Sequence, residues 1–479
     1  MNNLTRRRFL QTSAVVASVP MLGHTPSVLG ANDKIRVAVV GLRSRGKSHI
    51  SGYIGQKDVE VAALVDPDKK VLAGAVSNLE KKTGKAPIGE TDLRKVLEDK
   101  TIDAISIATP NHWHALMTIW GAQAGKHVYV EKPMSHDIAE GRIAVEAQKK
   151  YGVVIQHGTQ RRSSGREAGL AQAIKDGKFG KLKISYGYCC KPRGGIGHKP
   201  TSAPPEHLDW DLWRGPADIS DYHANYVHYN WHWFWATGNG DLNNQGTHEL
   251  DIAQWAIDDD QIHPVKAMAL GGRFAWDDQG ETPNTMFAMA EYANGQQVLF
   301  NVRNVNYKDY QRQIINEYYF EDGGKIVGGK YYAKGSDQGE KISFPGGKVT
   351  SGGAFGSFIN AVRDNDPAKS NADVLTAHRS CTLGHLMNNS YRLGTAVPFN
   401  KKAGKFGDNA EAAEHFGKLH DVMADGVGVP EDGNSYIVGP TLTFDSKTEA
   451  YTGEHAADAN KLLKDKNREG FVVPEANKV

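Results

Sequence analysis

Cysteine is nearly absent from this chain of 479 residues. Only Cys189, Cys190 and Cys381 occur, with no C-x-x-C pair, which excludes a disulfide framework and a zinc knuckle. No apolar run reaches the ~18 residues that a membrane-spanning helix needs. Charge of one sign is also lacking. Lys and Arg number 57 against 55 Asp and Glu, a formal net charge of +2, so no basic excess favours nucleic acid or an anionic membrane as partner. What remains, 39% hydrophobic and 23% charged residues, is the composition of a folded protein long enough for two or three domains.

The first 31 residues form a segment of their own. Thr5-Arg6-Arg7-Arg8-Phe9-Leu10-Gln11 leads into a mildly apolar run from Ala14 to Leu22, then to small residues around Gly30 and Ala31. This is read as a twin-arginine signal, cleaved near position 30 or 31, which directs the folded protein to the periplasm or another extracytoplasmic space.

From Lys34 to about residue 160, apolar strands alternate with helical patterns, the signature of a doubly wound parallel sheet of the Rossmann type. Strands are expected at 35–41, 59–66, 102–109, 127–131 and 153–157. The first ends in Gly41-Leu42-Arg43-Ser44-Arg45-Gly46. Gly41 and Gly46 frame a strand-turn-helix whose backbone N–H groups at the helix start suit a pyrophosphate, although Arg43 stands where the dinucleotide fingerprint has its middle glycine. The second strand ends in Asp66, twenty residues past Gly46, where a carboxylate meets the adenosine ribose. Ligands bind at the carboxyl ends of such strands, which directs attention to Thr109-Pro110-Asn111 with His114, and to Glu131-Lys132-Pro133.

Past Arg161 the pattern changes. Glycine and proline cluster between Lys191 and Pro216, and a dense aromatic run follows from Tyr226 to Trp235. Rings such as Tyr229, Trp231 and Trp233 can stack on sugar faces or plug a domain interface. Their position just ahead of a polar helix favours a pocket wall for one or two of them. In that helix Asp241 is read as the cap, and Asn244, His248, Asp251 and Trp255 recur at spacings of four, three and four, on one face. His248-Glu249-Leu250-Asp251-Ile252 lacks the second histidine of a zinc protease, and no metal site is expected. From about 265 to 327 alternating strands with turns at Asn294-Gly295 and Asp322-Gly323-Gly324 imply an open, mainly antiparallel sheet. The expected division is a signal over 1–31, a Rossmann domain over 32–160, an α+β substrate domain over 161–400, and a wrapping extension over 401–479.

Gly41 to Gly46, Asp66, Thr109-Pro110-Asn111 with His114, and Glu131-Lys132-Pro133, in this order, resemble the Gfo/Idh/MocA oxidoreductases over most of positions 34 to 400. The resemblance implies that Gly41, Arg43, Ser44, Arg45, Gly46, Asp66, Thr109, Asn111, His114, Glu131 and Lys132 surround a nicotinamide dinucleotide, with Lys132 reaching both cofactor and substrate. It further implies that His248 acts on a substrate hydroxyl, and that the antiparallel sheet supplies a homo-oligomer interface. One departure stands out. Asn244 sits where the family carries an aspartate, and an amide cannot offset an imidazolium charge. Asp66 favours NAD by repelling a 2′-phosphate, while Arg43 and Arg45 keep NADP open.

The expected chemistry is hydride transfer between nicotinamide and a CH–OH carbon of a sugar, polyol or glycoside. Lys132, His248 and Asn244 form the catalytic group, and Arg161, Tyr229, Trp231 and Trp233 join His248 around the substrate. Export requires that the cofactor be held tightly. Two further readings stay open: a redox-neutral, NAD-dependent glycosidase acting through a transient 3-keto sugar, and a non-catalytic sugar-binding protein on the same fold.

Overall fold

A computed structural model describes residues 34–407 and 409–479. The signal read over residues 1–31 lies outside them. Among the described residues no helix is long and apolar enough to cross a membrane.

Six parallel strands build the first sheet: β1 (Ile35–Val40), β2 (Val59–Val65), β3 (Ile88–Glu90), β4 (Ala104–Ile107), β5 (His127–Val130) and β6 (Ile155–His157), in the order β3-β2-β1-β4-β5-β6. Five match the expected strands within a few residues. The sixth, β3, is a three-residue edge strand with Ile88 and Gly89 exposed, so no apolar run announces it. The strand order reverses between β1 and β4, which opens a crevice at their carboxyl ends.

Five helices follow the strands: α1 (Ser44–Ile54), α2 (Lys69–Thr83), α3 (Leu93–Glu98), α4 (Asn111–Gln123) and α5 (Ile138–Tyr151). Two distant segments complete this layer. α10 (Gly353–Arg363) puts Phe358, Ile359 and Val362 against Val37, Val39 and Tyr129 beside α1 and α2. On the opposite face Phe471, Val473 and Val479 join the core around α4 and α5.

Short elements link the two sheets: α6 (Gly165–Lys175), a ribbon of β8 (Thr201–Ser202) and β9 (Tyr222–His223), α7 (Trp210–Arg214), α8 (Gly240–Asn243) and α9 (Thr247–Trp255). Among the described residues the second sheet has twelve strands, with β14 (Lys325–Val327), β15 (Lys330–Tyr332) and β16 (Glu340–Lys341) at one edge and β17 (Thr395–Pro398) at the other. At its centre β7 (Leu182–Cys190) runs parallel to β12 (Gln297–Arg303) and antiparallel to β13 (Gln313–Phe320). β10 (Lys266–Gly272) and β11 (Thr285–Glu291) continue it antiparallel. The Asn294-Gly295 and Asp322-Gly323-Gly324 turns fall where expected, with Gly295 and Gly323 at φ of 85° and 86°, a region that glycine enters without steric cost.

One face of this sheet packs on α9 and on α11 (Val374–Arg392). The other is covered by Phe399, Phe406 and α12 (Ala410–Asp421), whose Phe416 and Leu419 reach Tyr186, Phe287 and Tyr436. Residues 401–479 thus contribute more than a wrapping tail. They supply α12, the strands β18 (Ser435–Val438), β19 (Leu442–Asp445) and β20 (Ala450–Thr452), and the 471–479 segment under α4. Over this stretch the chain itself covers one face of the second sheet. Glu449, in the turn before β20, draws Arg142, His263 and His378 together; the guanidinium neutralises its carboxylate and locks the extension to α5 and α11.

Phe416 is 2% exposed. Its replacement by alanine is expected to cost about 3–5 kcal/mol in urea unfolding; a loss below about 1 kcal/mol would mean that this face is not closed by the chain's own helix.

Candidate active site

Gly41 follows β1 at φ +81°, and a Cβ there would lie 2.7 Å from the Ala108 carbonyl oxygen. A Cβ at Gly46 would lie 1.9 Å from the oxygen of Gly41. Both glycines are therefore required for the strand, the loop after β4 and the first turn of α1 to meet. Arg43 and Ser44 stand exposed at that turn. They line a cleft of about 960 Å³ with Gly41, Arg45, Asp66, Thr109, Trp113 and Trp213.

Asp66 lies at the carboxyl end of β2. Its Oδ2 accepts the Leu42 N–H at 2.9 Å, and its Oδ1 accepts the Asp68 N–H at 3.0 Å. Burial pushes its carboxyl up to about 6, against the pull of those two donors. Backbone excluded from Cβ at two glycines, an uncapped helix start and a buried carboxylate in one cleft fit a dinucleotide, with phosphates at α1 and a ribose at Asp66.

A strap from the second domain roofs this cleft. Residues 207–209 bond back onto the end of β2, through Lys69 N–H to the His207 carbonyl at 2.8 Å and Asp209 N–H to the Pro67 carbonyl at 3.0 Å. The Asp68 carboxylate takes His207 at 3.0 Å and His228 at 3.1 Å. Further along, the Trp213 carbonyl accepts Trp113 Nε1–H at 2.9 Å, with His112 Nε2 at 3.1 Å. Arg468 bonds the Gly215 carbonyl and Asp211, pressing the strap onto α4 from behind. Tyr226, Trp231 and Phe234 pack with Trp213 into a core belonging to the strap itself.

Next to the cleft is a second, polar cavity lined by Arg45, Thr109, Asn111, His114, Glu131, Lys132, Gln160, Trp231, His232, Asn244 and His248. Arg45, Thr109, Trp231 and His232 border both spaces. Glu131 is the buried anion of the group. Burial opposes its ionisation, but the His49 contact and the Arg45 charge outweigh that and hold its carboxyl well below the usual range. Arg45 Nε donates to it at 2.6 Å, His49 Nε2 lies at 3.2 Å and Gln160 donates at 3.2 Å.

Lys132 reaches across the domain boundary. Its ammonium donates to the Asn244 backbone carbonyl at 2.8 Å and to the Asn244 side-chain oxygen at 3.0 Å. Burial lowers its pKa, opposed by Glu131 and Asp241. Two of its three N–H groups are thus committed, and the third is left for the cavity. His248 makes no side-chain hydrogen bond among the described residues, and burial together with the Lys132 charge brings its imidazole down to about 3. It stands neutral at physiological pH, able to accept or share a proton.

The profile of an oxidoreductase family with an NAD-binding Rossmann fold matches residues 35–159, and that of the same family's C-terminal alpha/beta domain matches residues 193–420. The chain belongs to the Gfo/Idh/MocA oxidoreductase family. Its first domain is the NAD-binding domain of that family. A glycosyl hydrolase family 109 protein of Shewanella baltica is 28% identical over 211 residues, 38% of this chain and 45% of the relative. The scyllo-inositol 2-dehydrogenase (NAD(+)) of Bacillus subtilis is 33% identical over 149 residues, 31% of this chain and 42% of the relative. The matched stretch thus spans less than half the length of either curated relative. Among solved structures, the WlbA dehydrogenase of Bordetella pertussis, crystallised with NADH and UDP-GlcNAcA, aligns at a TM-score of 0.54 with 22% identity, covering 75% of this chain and 97% of that one. That likeness is one of fold.

Within this Gfo/Idh/MocA site the structure brings together every cofactor residue that the sequence reading named except Gly46, which supports the groove from behind. His114 holds the loops in place, its ring between the Pro133 carbonyl at 2.6 Å and the Thr109 carbonyl at 2.8 Å. Asn111 lines the cavity while donating to Asn239 at 3.3 Å. Of the expected sugar contacts, Tyr229 lines the cleft and Trp231 both spaces. Two expectations are corrected. Arg161 lines neither space, because Glu167 and Asn316 hold its guanidinium with Glu249 close by. Trp233 is buried beneath the Arg193 guanidinium, 5.5 Å from the ring centre.

The polar helix is corrected as well. It breaks at Asn244, and Asp241 is a buried residue of α8 rather than a cap. Asp251 turns away from the cavity to Arg162 and Ser380. Sequence reasoning missed His232 and Gln160. His232 lies within the aromatic run, where spacing alone does not set it apart from the rings beside it.

Replacing Asp66 by asparagine removes a buried charge whose pKa is raised from 3.8 to about 6. A raised carboxyl pKa makes the native state lose stability as pH climbs through that window. The variant without cofactor is therefore expected to gain up to about 3 kcal/mol above pH 6 and nothing below pH 4. NAD affinity should drop roughly tenfold or more as a charge-assisted hydrogen bond is lost. Melting curves at pH 4 and 7.5, with and without NAD, check both effects.

Proposed function

We propose that this protein oxidises or reduces a CH–OH carbon of a sugar, polyol or glycoside, using a nicotinamide cofactor that stays bound through turnover. The observation that carries this reading is the polar cavity in which the Lys132 ammonium and the neutral His248 ring lie together, beside the Gly41 groove and under the strap.

NAD, when bound, supplies a two-electron acceptor or donor for such a carbon. The protein's own groups do the rest. The free N–H of Lys132 donates to the substrate oxygen and stabilises it as it gains carbonyl or alkoxide character. His248 takes the hydroxyl proton in oxidation and returns it in reduction. Its low basicity, with an amide at 244 in place of a carboxylate, leaves the larger share of charge stabilisation to Lys132. Trp231 offers a flat apolar face at the boundary of both spaces, suited to a pyranose ring.

Tight retention is supported by the strap, whose anchors at Asp68 and Trp213 close the cleft. It also suits the export reading of residues 1–31, since an exported enzyme must fold around its cofactor first. A second reading is favoured by the family 109 relative: transient oxidation at C3 of a glycoside acidifies the C2–H, the C2 proton and the aglycone leave in an elimination, water adds at C1, and hydride returns to C3, so that the reaction is redox-neutral.

Denaturing the purified protein should release nicotinamide dinucleotide, read at 260 and 340 nm, and a His207→Ala/His228→Ala variant should lose it faster on gel filtration; a chain that never carries dinucleotide would be a binding protein. Lys132→Met should lower kcat/KM by roughly 10² to 10⁴. Activity should fall on the alkaline side with a midpoint below 10.5, where the lowered Lys132 pKa discharges the ammonium, and His248 at about 3 should add no acid limb above pH 5. Phenol released from an aryl glycoside without added NAD would select the redox-neutral route.

A further inference from the structure

The family pattern places a carboxylate at position 244, and this chain has an amide there. A carboxylate is nonetheless close by. Asp241, one turn upstream, is fully buried. Its Oδ1 accepts Asn244 Nδ2–H at 3.1 Å and Arg193 at 2.8 Å, and its Oδ2 accepts Arg193 Nε–H at 2.8 Å and Asn304 Nδ2–H at 2.8 Å. The other end of the same amide receives Lys132.

Turned the other way, the amide would set its NH₂ against the ammonium and its oxygen against the carboxylate, two repulsions at about 3 Å. The pair of charges therefore admits one orientation. We propose that Asp241 is a positioning residue for Lys132, fixing the Asn244 amide with its oxygen toward the ammonium so that the remaining N–H points into the cavity. This rests on the reading of Lys132 as the group that meets the substrate oxygen.

The charge pattern agrees. Lys132 is faced by Glu131 from the end of β5, Arg45 from α1, Lys191 beyond β7, Asp241 from α8, His248 and Glu249 from α9, His114 from α4, His157 from β6 and His232 from the strap. Glu131 already carries Arg45 and His49. Asp241 is the second anion, and although Arg193 neutralises much of it, the amide conveys its direction to the ammonium. An aspartate at 244 would stand about 3 Å from Asp241 and force the two carboxyls to share a proton.

The test reads the amine itself and needs no substrate. The full chain as purified is labelled with trinitrobenzenesulfonate from pH 6 to 10, and the Lys132 peptide is quantified by mass spectrometry, with Lys126 as internal control. Asp241→Asn is expected to lower the midpoint of the Lys132 profile, each unit giving about tenfold faster labelling at pH 7, while Lys126 is unmoved. Asn244→Ala should shift it the same way. Should Asp241→Asn fail to fold through the unpaired Arg193, Arg193→Gln/Asp241→Asn keeps the buried site neutral and carries the same expectation. A Lys132 profile unmoved in the folded Asp241 variant, whether or not Asn244→Ala shifts it, overturns the proposal. Because labelling needs no turnover, a shifted profile in a protein inert toward every sugar would remove the proposed activity and leave Asp241 in its role.

Discussion

At the carboxyl end of β5 the chain delivers an ammonium into the second domain, and that ammonium ends on both oxygens of a single residue, Asn244. The polar cavity exists because of this crossing. Its floor comes from the first sheet through Thr109, Glu131 and Lys132, its far wall from the broken helix through Asn244 and His248. A buried ammonium survives only where oxygen atoms surround it. Asn244, which ends α8, supplies both of the oxygens that satisfy that charge.

Behind the crossing stands a helix that looks unlike a core helix. α11 carries His378, Ser380, Thr382, His385, Asn388 and Asn389 at buried positions. Ser380 bonds Asp251 and Gln254 of α9, His378 meets Glu449, Thr382 meets His378, and Asn389 bonds Tyr451 of β20; the others serve loops. Asn388 bonds the Asn239 carbonyl, His385 lies near Asn243 and the Ser135 carbonyl, and Cys381 accepts the Met134 N–H. The polar side chains of α11 thus replace missing secondary structure in the two loops that carry Lys132 and Asn244. At Gly384 a Cβ would lie 1.9 Å from Asn243 Oδ1, so this helix and α8 meet backbone to side chain.

The aromatic run divides its work along the same lines. Tyr226 and Phe234 pack inside the strap, Trp231 faces both ligand spaces, and Trp233 carries an arginine. Rings of one type in one stretch of ten residues serve three ends, because the strap is too thin to have a core without them and too close to the cleft to keep all of them inside.

Local pattern alone determined five of the six strands of the first sheet, the glycine turn, Asp66, the motifs at 109–114 and 131–133, and the hairpins at 295 and 323. These depend on strand periodicity and on backbone conformations that only certain residues adopt, and such signals are written in consecutive residues. Tertiary structure decided the rest. It exchanged Arg161 and Trp233 for Gln160 and His232, broke the helix at Asn244, brought α10 and residues 471–479 to the first sheet, and laid α12 over the second. Each of these turns on which distant group neutralises a charge or covers an apolar face. That choice depends on which groups the fold brings together, as Asn316 is brought to Arg161 from 155 residues away, and no local spacing encodes it.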